Sequence, residues 1–340
     1  MPPSGWYDDP EQSWTWRYWD GARWTDHRAP MWVSPPRDGS SFSVWFERSI
    51  AVVGIAVRRI GLVLLAVWGL LGVAGWVVVV STFDGGRGRE LRRLLDFEEN
   101  SFGGSRTVEL TDAEAERAWE LIRDMFWSAL PWLVLLAVSF VLVSAWSVAL
   151  AVSVQLPRVA EQRGDEPSAA TLGGEMAAAV RRVPSVVASG VVVFLVLTGV
   201  WVVASLPVVL VAVLDGGGAA IVLTSVFVVL LAGVVTSWLW VRLSLSVVLA
   251  AAGGHGVGVR RSWDLTGGRF WYAAGRLIIT GLIAGAASGA VNSIAGFGQF
   301  LGFATYVAIV CTLQAVAAAA SVLITTAGHL VTSDQLDTHR

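Results

Sequence analysis

Lysine is absent from this chain of 340 residues, and all 24 basic side chains are arginine. That absence excludes a P-loop lysine, a Schiff-base lysine and a lysine general base. Cysteine occurs once, as Cys311, so neither an intrachain disulfide nor a cysteine-cluster metal site can form. The four histidines, His27, His255, His329 and His339, have no metal-ligand partner at helical or loop spacing. Charge is thin as well. Only 15% of residues carry one, against about 25% in an ordinary soluble domain. The net charge of −2 gives no global basic field for nucleic acid. No Asp, Glu or His occupies the centre of an apolar run, where proton relays and ion-coupled carriers place such groups.

What is abundant is apolar: 55% of residues are hydrophobic. They gather in six runs, at about residues 61–82, 126–154, 184–214, 219–241, 272–297 and 301–327. Each is long enough to cross a hydrocarbon layer of about 30 Å. Backbone groups cannot go unpaired in lipid, so the runs are expected to be helices. Pro207 predicts a kink in the third. The fourth could continue past Arg242 to Ala252. The first run begins too far into the chain for a secretory signal peptide. Residues 1–30 read as a small tryptophan-rich β-module, and 31–47, rich in Pro and Ser, as a linker. Residues 48–330 read as a six-span transmembrane domain, and 83–125 as its extracytoplasmic loop. The expected fold is therefore an all-α polytopic membrane protein with amphipathic interfacial helices and a small N-terminal β-hairpin module.

Arginine placement orients the chain. With the N-terminus inside, thirteen arginines from Arg48 onward fall on the cytoplasmic side, among them Arg58, Arg59, Arg181, Arg182, Arg260 and Arg261. Seven fall outside, all between residues 83 and 125. The expectation is a multi-pass protein of the cell's inner membrane with both termini cytoplasmic. The outer loop opposes this with Arg87, Arg89, Arg92 and Arg93; its eleven acids count little in the rule. In that loop Thr111 followed by Glu114 predicts a capping box and a helix leading into the second span. A paired arginine precedes the first, third and fifth spans, which suggests three hairpins fed by amphipathic stretches whose arginines lie near lipid phosphates.

The stretch GWYDDPEQSWTWRYWDGARWTDHRAP, residues 5–30, holds five tryptophans around Asp20-Gly21. Asp-Gly favours a two-residue type I′ turn. That turn would pair Trp19 with Ala22, Tyr18 with Arg23 and Arg17 with Trp24, laying guanidinium against rings, with GWYDDP folding back. A hairpin this small is marginal alone, so its rings must first supply a core. The competing role is recruitment of a cytosolic protein, or contact with the lipid interface, through Trp6, Trp16, Trp19 and Trp24.

The same stretch resembles the short tryptophan-rich domain of unknown function found at the N-termini of many actinobacterial membrane proteins. Gly-Trp-Tyr, Asp-Pro, Trp-Asp-Gly and Trp-Thr occur in its order. The resemblance implies an accessory module and no activity. From Leu172 past residue 280, GEMAAAVRRVPSV and RLSLSVVLAAAGGHGVGVRRSWDLTGGRFWYAAGRLI are similar to the membrane domain attached to some glycerophosphoryl diester phosphodiesterases. GGHG stands where that family often has Glu. The phosphodiesterase chemistry belongs to a soluble domain with no counterpart here, so the activity does not carry over.

The remaining candidates are weaker. Arg242 could lie within the bilayer boundary, with Glu175 as its partner, or snorkel to inner phosphates beside Arg260 and Arg261. Gly281, Gly285 and Gly289 recur every four residues and invite a close helix, from the bundle or from a second copy of the chain. Gln155, Asn292, Gln299 and Gln314 read as interhelical hydrogen-bond partners. His255 in GGHGVG could touch a phosphate but reads first as a loop residue. GHGVGV lacks the dinucleotide-binding spacing. The surroundings of Ser288 lack the nucleophile-elbow spacing. No cofactor is expected, and no acid–base, metal or nucleophile constellation for an enzyme can be named. The leading expectation is a non-enzymatic membrane scaffold or interaction protein, with the bilayer and a cytosolic protein as partners. The rivals are a lipid or small-molecule transporter and a membrane subunit supporting a separate phosphodiesterase.

Overall fold

The computed structural model describes residues 5–11, 15–30, 42–94, 111–162, 171–214, 217–253, 258–297 and 303–338. Two compact units emerge, residues 1–48 and 49–340.

The first unit holds a three-stranded antiparallel sheet. Strands β1 (Gly5–Asp8), β2 (Thr15–Trp19) and β3 (Trp24–Pro30) lie in sequence order. GWYD does fold back, pairing Tyr7 with Arg17 and Trp6 with Tyr18. The register of the second hairpin differs from the expected one. Trp19 pairs with Trp24, and after a bulge Arg17 pairs with Arg28. The reason lies in the turn. The Asp20 carboxylate accepts the Ala22 and Arg23 N–H groups at 2.7 and 2.8 Å, and the Asp20 N–H donates to the Arg23 carbonyl. Residues 20–23 thus form a four-residue loop, with Gly21 at φ 100°. Helix α1 begins at Phe42, inside the segment read as linker. Phe42, Trp45 and Phe46 stack their rings at 5.2–6.3 Å along its first turns.

The second unit is helical. It contains most of α1 (Phe42–Asp84), then α2 (Gly86–Leu94), α3 (Asp112–Glu161), α4 (Leu172–Val213) and α5 (Gly218–Leu243). Short helices α6 (Ser246–Gly253) and α7 (Gly258–Thr266) precede α8 (Phe270–Phe297) and α9 (Phe303–Thr338). Six helices are long and apolar enough to cross a membrane, counting α5 with α6 as one. Helices α1, α3 and α4 have 43, 50 and 42 residues. At 1.5 Å per residue they are about 63–75 Å long, roughly twice a hydrocarbon layer. Two of the arginine-bearing stretches expected at the interface therefore continue without a break into their spans; the third is the separate helix α7. Helix α4 stays helical through Pro184 and Pro207.

Packing is uneven along this bundle. From Ala149 to Val152 and at Val154 and Gln155, α3 is at most 2% exposed, so neighbours enclose it on every side. Around α6, α7 and the start of α8, Val241, Leu245, Leu249, Leu265, Leu277 and Leu336 form one cluster. These segments all lie at the end of the bundle where α3 finishes, α4 starts and α9 finishes. Toward the other end Leu135, Leu142, Phe194, Leu195, Leu223 and Phe227 are exposed, as suits a lipid-facing belt. Beyond that belt, α2 lays Leu91 against Ala118, Leu121 and Met125 of α3. The arginines that argued against the orientation belong to this second, unforeseen helix of the loop. Thr111 and Glu114 form the capping box of α3, with Thr111 N–H to Glu114 Oε2 at 2.9 Å.

Candidate functional site

Each arginine pair divides its labour. Arg59 on α1 meets Glu175 on α4 at 2.9 Å, Arg182 on α4 donates to Ser153 on α3 at 3.1 Å, and Arg261 on α7 meets Asp337 on α9 at 2.8 Å. The first members, Arg58, Arg181 and Arg260, are exposed. One guanidinium thus ties two helices while its neighbour faces outward, because consecutive helical positions point about 100° apart.

Glu175 therefore belongs to Arg59 and not to Arg242. Arg242 sits in a cage of rings instead, 5.4 Å from the Trp238 centroid, 5.2 Å from Trp263 and 5.9 Å from Phe270. It donates to the carbonyls of Trp263 and Gly267, and its own carbonyl accepts from Ser262 at 2.6 Å. The cage pins α7 to the end of α5. A second cationic node, absent from the sequence reading, is Arg276 on α8. It is buried, lies 3.4 Å from the Tyr272 ring centroid, and shares the Gln335 side-chain oxygen with the Tyr272 hydroxyl. Its signal was the four-residue spacing of Tyr272 and Arg276, which places both on one helix face. Gln155 does bridge helices, donating to the Leu323 carbonyl at 3.1 Å.

The glycine stripe behaves differently from the expectation of packing within the bundle. A Cβ at Gly281, Gly285 or Gly289 would meet nothing within 4 Å among the described residues. Close approach happens elsewhere: a Cβ at Gly328 would run into the Thr280 side chain, and one at Gly72 would lie 2.9 Å from the Cys311 carbonyl oxygen. Contact with Thr280 through Gly328, and with Ser288 through Ser321 at 3.2 Å, fixes which face of α8 meets α9.

At the enclosed end a pocket of about 270 Å³ opens between the last turns of α3, α6 and α9, with α7 along its side. Leu156, Val159, Leu249, Leu265 and Leu330 supply apolar wall. Arg261, Ser333, Asp334 and Asp337 supply the polar lining. Asp334 is buried, whereas the Arg261–Asp337 pair is about half exposed at the rim. Of the three arginines singled out from sequence, only Arg261 lines this pocket. Among the described residues no three His, Cys, Asp or Glu side chains gather as a metal site.

The N-terminal sheet has its own constellation. Tyr7, Trp19 and Trp24 meet edge to face, with centroids 6.2 and 5.3 Å apart across Trp24, and all three are half-buried. Arg17 and Arg28 lie on the same face and bind acids rather than rings. Arg28 reaches Asp9 at 2.5 Å and Glu11 at 2.7 Å, and Arg17 reaches Glu11 at 2.8 Å. Arg17 Nε also donates to the Thr25 carbonyl at 2.7 Å. Burial raises the Asp9 pKa, but the Glu11 N–H and the Arg28 and Arg17 guanidiniums outweigh it and hold the carboxyl below its ordinary 3.8. The Asp9 contact raises the pKa of Arg28 in turn. The Arg23 and Ala22 N–H groups lower that of Asp20. The clamp was missed because Arg17 faces Arg28 only through the bulge in β2, where the expected register set it against Trp24.

Trp6 and Trp16 take their places in β1 and β2, pairing with Tyr18 and Ala29. His255, His339 and Gln299 lie outside the described residues.

The family described as Protein of unknown function (DUF2510) matches residues 4–37, so the N-terminal module is similar to that domain. The resemblance of the membrane region to phosphodiesterase membrane domains gains no support from the comparisons. No curated protein and no solved structure matches the chain.

Proposed function

We propose that the chain is a multi-pass inner-membrane protein with both termini cytoplasmic, acting as a non-enzymatic scaffold whose N-terminal sheet recruits a cytosolic protein. The observation that carries this reading is the division into units. The sheet is compact by itself and keeps the Tyr7–Trp19–Trp24 rings half exposed on one face. Half-exposed rings held by a rigid clamp offer large contact area at small entropic cost. The membrane unit meanwhile commits Arg59, Arg182, Arg242 and Arg276 to joining helices. The exposed Arg58, Arg181 and Arg260 suit the phosphates of the inner leaflet and support the orientation. Transport draws less support, because the pocket meets Arg261 at one end of the bundle while Arg242 is held among rings.

Crosslinking in native membranes tests the recruitment. Comparison of the full chain with a version lacking residues 1–30 should show at least one cytosolic protein lost, and Trp24→Ala should weaken the same contact. An identical set of crosslinked proteins from both chains overturns the reading.

A further inference from the structure

We propose that the Arg242 cage binds the phosphate of an acidic glycerophospholipid, in the leaflet at the α7 end of the bundle. The proposal rests on the membrane reading of the chain and not on recruitment by the N-terminal sheet.

Depth places the cation. Helix α5 presents exposed apolar side chains from Val222 to Trp240, among them Leu223, Phe227, Leu230 and Val234. At 1.5 Å per residue that stretch is about 27 Å long, close to one hydrocarbon layer of about 30 Å. Arg242 follows it directly, so its guanidinium stands at headgroup level. Trp238, Trp240 and Trp263 are exposed beside it, and exposed Trp271 packs against the Phe270 ring of the cage. Indole rings gather at this edge of a bilayer.

Unspent charge selects the ligand. Arg242 is half-buried. Among the described residues the partners of its guanidinium are three rings and two carbonyls, and none is an acid. The carbonyl bonds are long, at 3.3 and 3.5 Å, and Nε is enclosed with no acceptor. Each terminal nitrogen keeps a second N–H to give. A partly desolvated cation gains most from a charged acceptor, and the planar fork takes two phosphate oxygens side by side. Rings and carbonyls already fix its direction, which lowers the cost of ordering it on binding. Arg260 stands one turn before Trp263 on α7, is exposed, and adds a second positive charge to that face. Asp264, the acid of the same turn, pairs with neither arginine among the described residues.

The rings select the headgroup. Trp238 and Trp263 already hold a cation against their faces. A choline or ethanolamine headgroup would bring its ammonium to occupied rings on a positive surface. An uncharged alcohol, as in phosphatidylglycerol, leaves the phosphate charge whole.

Native mass spectrometry tests this on the full chain, released from nanodiscs of equimolar phosphatidylglycerol and phosphatidylcholine with matched acyl chains. The wild type should retain phosphatidylglycerol in preference. Arg242→Gln should lower the retained amount about fivefold. Arg58→Gln, at an exposed arginine outside the cage, should leave it unchanged. Should Arg242→Gln fail to fold, Arg260→Gln decides, because its exposed side chain joins no helices; it should lower retention by a similar factor. In detergent, phosphatidylglycerol should raise Tm saturably and inorganic phosphate should not. Equal retention of the two lipids, or an equal loss from Arg58→Gln and the cage variant, overturns the proposal. An equal rise in Tm from inorganic phosphate also overturns it, in favour of a soluble anion. Each of these results leaves the crosslinking test of the N-terminal sheet untouched.

Discussion

At the scale of single residues, buried charge decides more than aromatic bulk. Asp9 is fully enclosed between Arg17, Arg28 and the Glu11 N–H. Its folded pKa is depressed, so it stabilises the sheet above the unfolded value of 3.8 and loses that effect as pH falls through the folded pKa. Tryptophan emission of the module should therefore be flat from neutral pH to about pH 5 and change cooperatively below about pH 4. Asp9→Asn should remove the acid transition and lower the melting temperature of the module at neutral pH. A second residue-scale expectation concerns Gly328. Gly328→Ala drives a methyl group into Thr280 and should destabilise the membrane unit by about 1–3 kcal/mol. Thr280→Ala in the same chain removes the two nearest atoms and should recover part of the loss, as read by thermal melting in detergent. Neither contact was legible from sequence. The Asp9 clamp joins three strands whose register depends on a bulge, and Gly328 looks like any other small residue until α8 chooses its face.

At the scale of elements, the apolar runs were readable because they are local and because lipid admits few alternatives to a helix. Their lengths were not. Between Ala51 and Arg59, and between Leu172 and Arg182, nothing breaks the helix, so polarity ended the sequence reading where backbone geometry continued. The start of α3 shows the opposite case, since a capping box is written in four residues. Thr111→Ala should cost about 1 kcal/mol locally and speed amide exchange over residues 112–118, leaving exchange near Leu150 unchanged. The glycine stripe of α8 shows the limit of periodicity, which finds a face without saying what covers it. Gly285→Leu has open space around it among the described residues. It should change the stability of the isolated chain by no more than about 0.5 kcal/mol. A larger loss of Tm, accompanied by a fall in mass on light scattering, would show that a second copy occupies the stripe.

Over the whole molecule the two ends of the bundle play unlike parts. One end is a tightly enclosed helical head held by Arg59–Glu175, Arg276–Gln335 and Arg261–Asp337. The other is a belt of exposed Leu, Val and Phe, followed by the small α2–α3 platform with its Arg117–Glu90 pair at 3.1 Å. Such asymmetry suits a protein that stands proud of one leaflet and barely clears the other. The arginine count selects the cytoplasm for the head, while α2 places four arginines on the far side, so charge alone argues both ways. A direct measurement resolves the contest. Cys311 is the sole cysteine, and Cys311→Ser gives a blank background. Gly103→Cys, in the segment between α2 and α3, should then react with a membrane-impermeant maleimide on intact cells. Gly164→Cys, between α3 and α4, should react only after permeabilisation. The reverse pattern would put the head, the pocket and the N-terminal sheet outside the cell. Recruitment of a cytosolic protein would then be impossible.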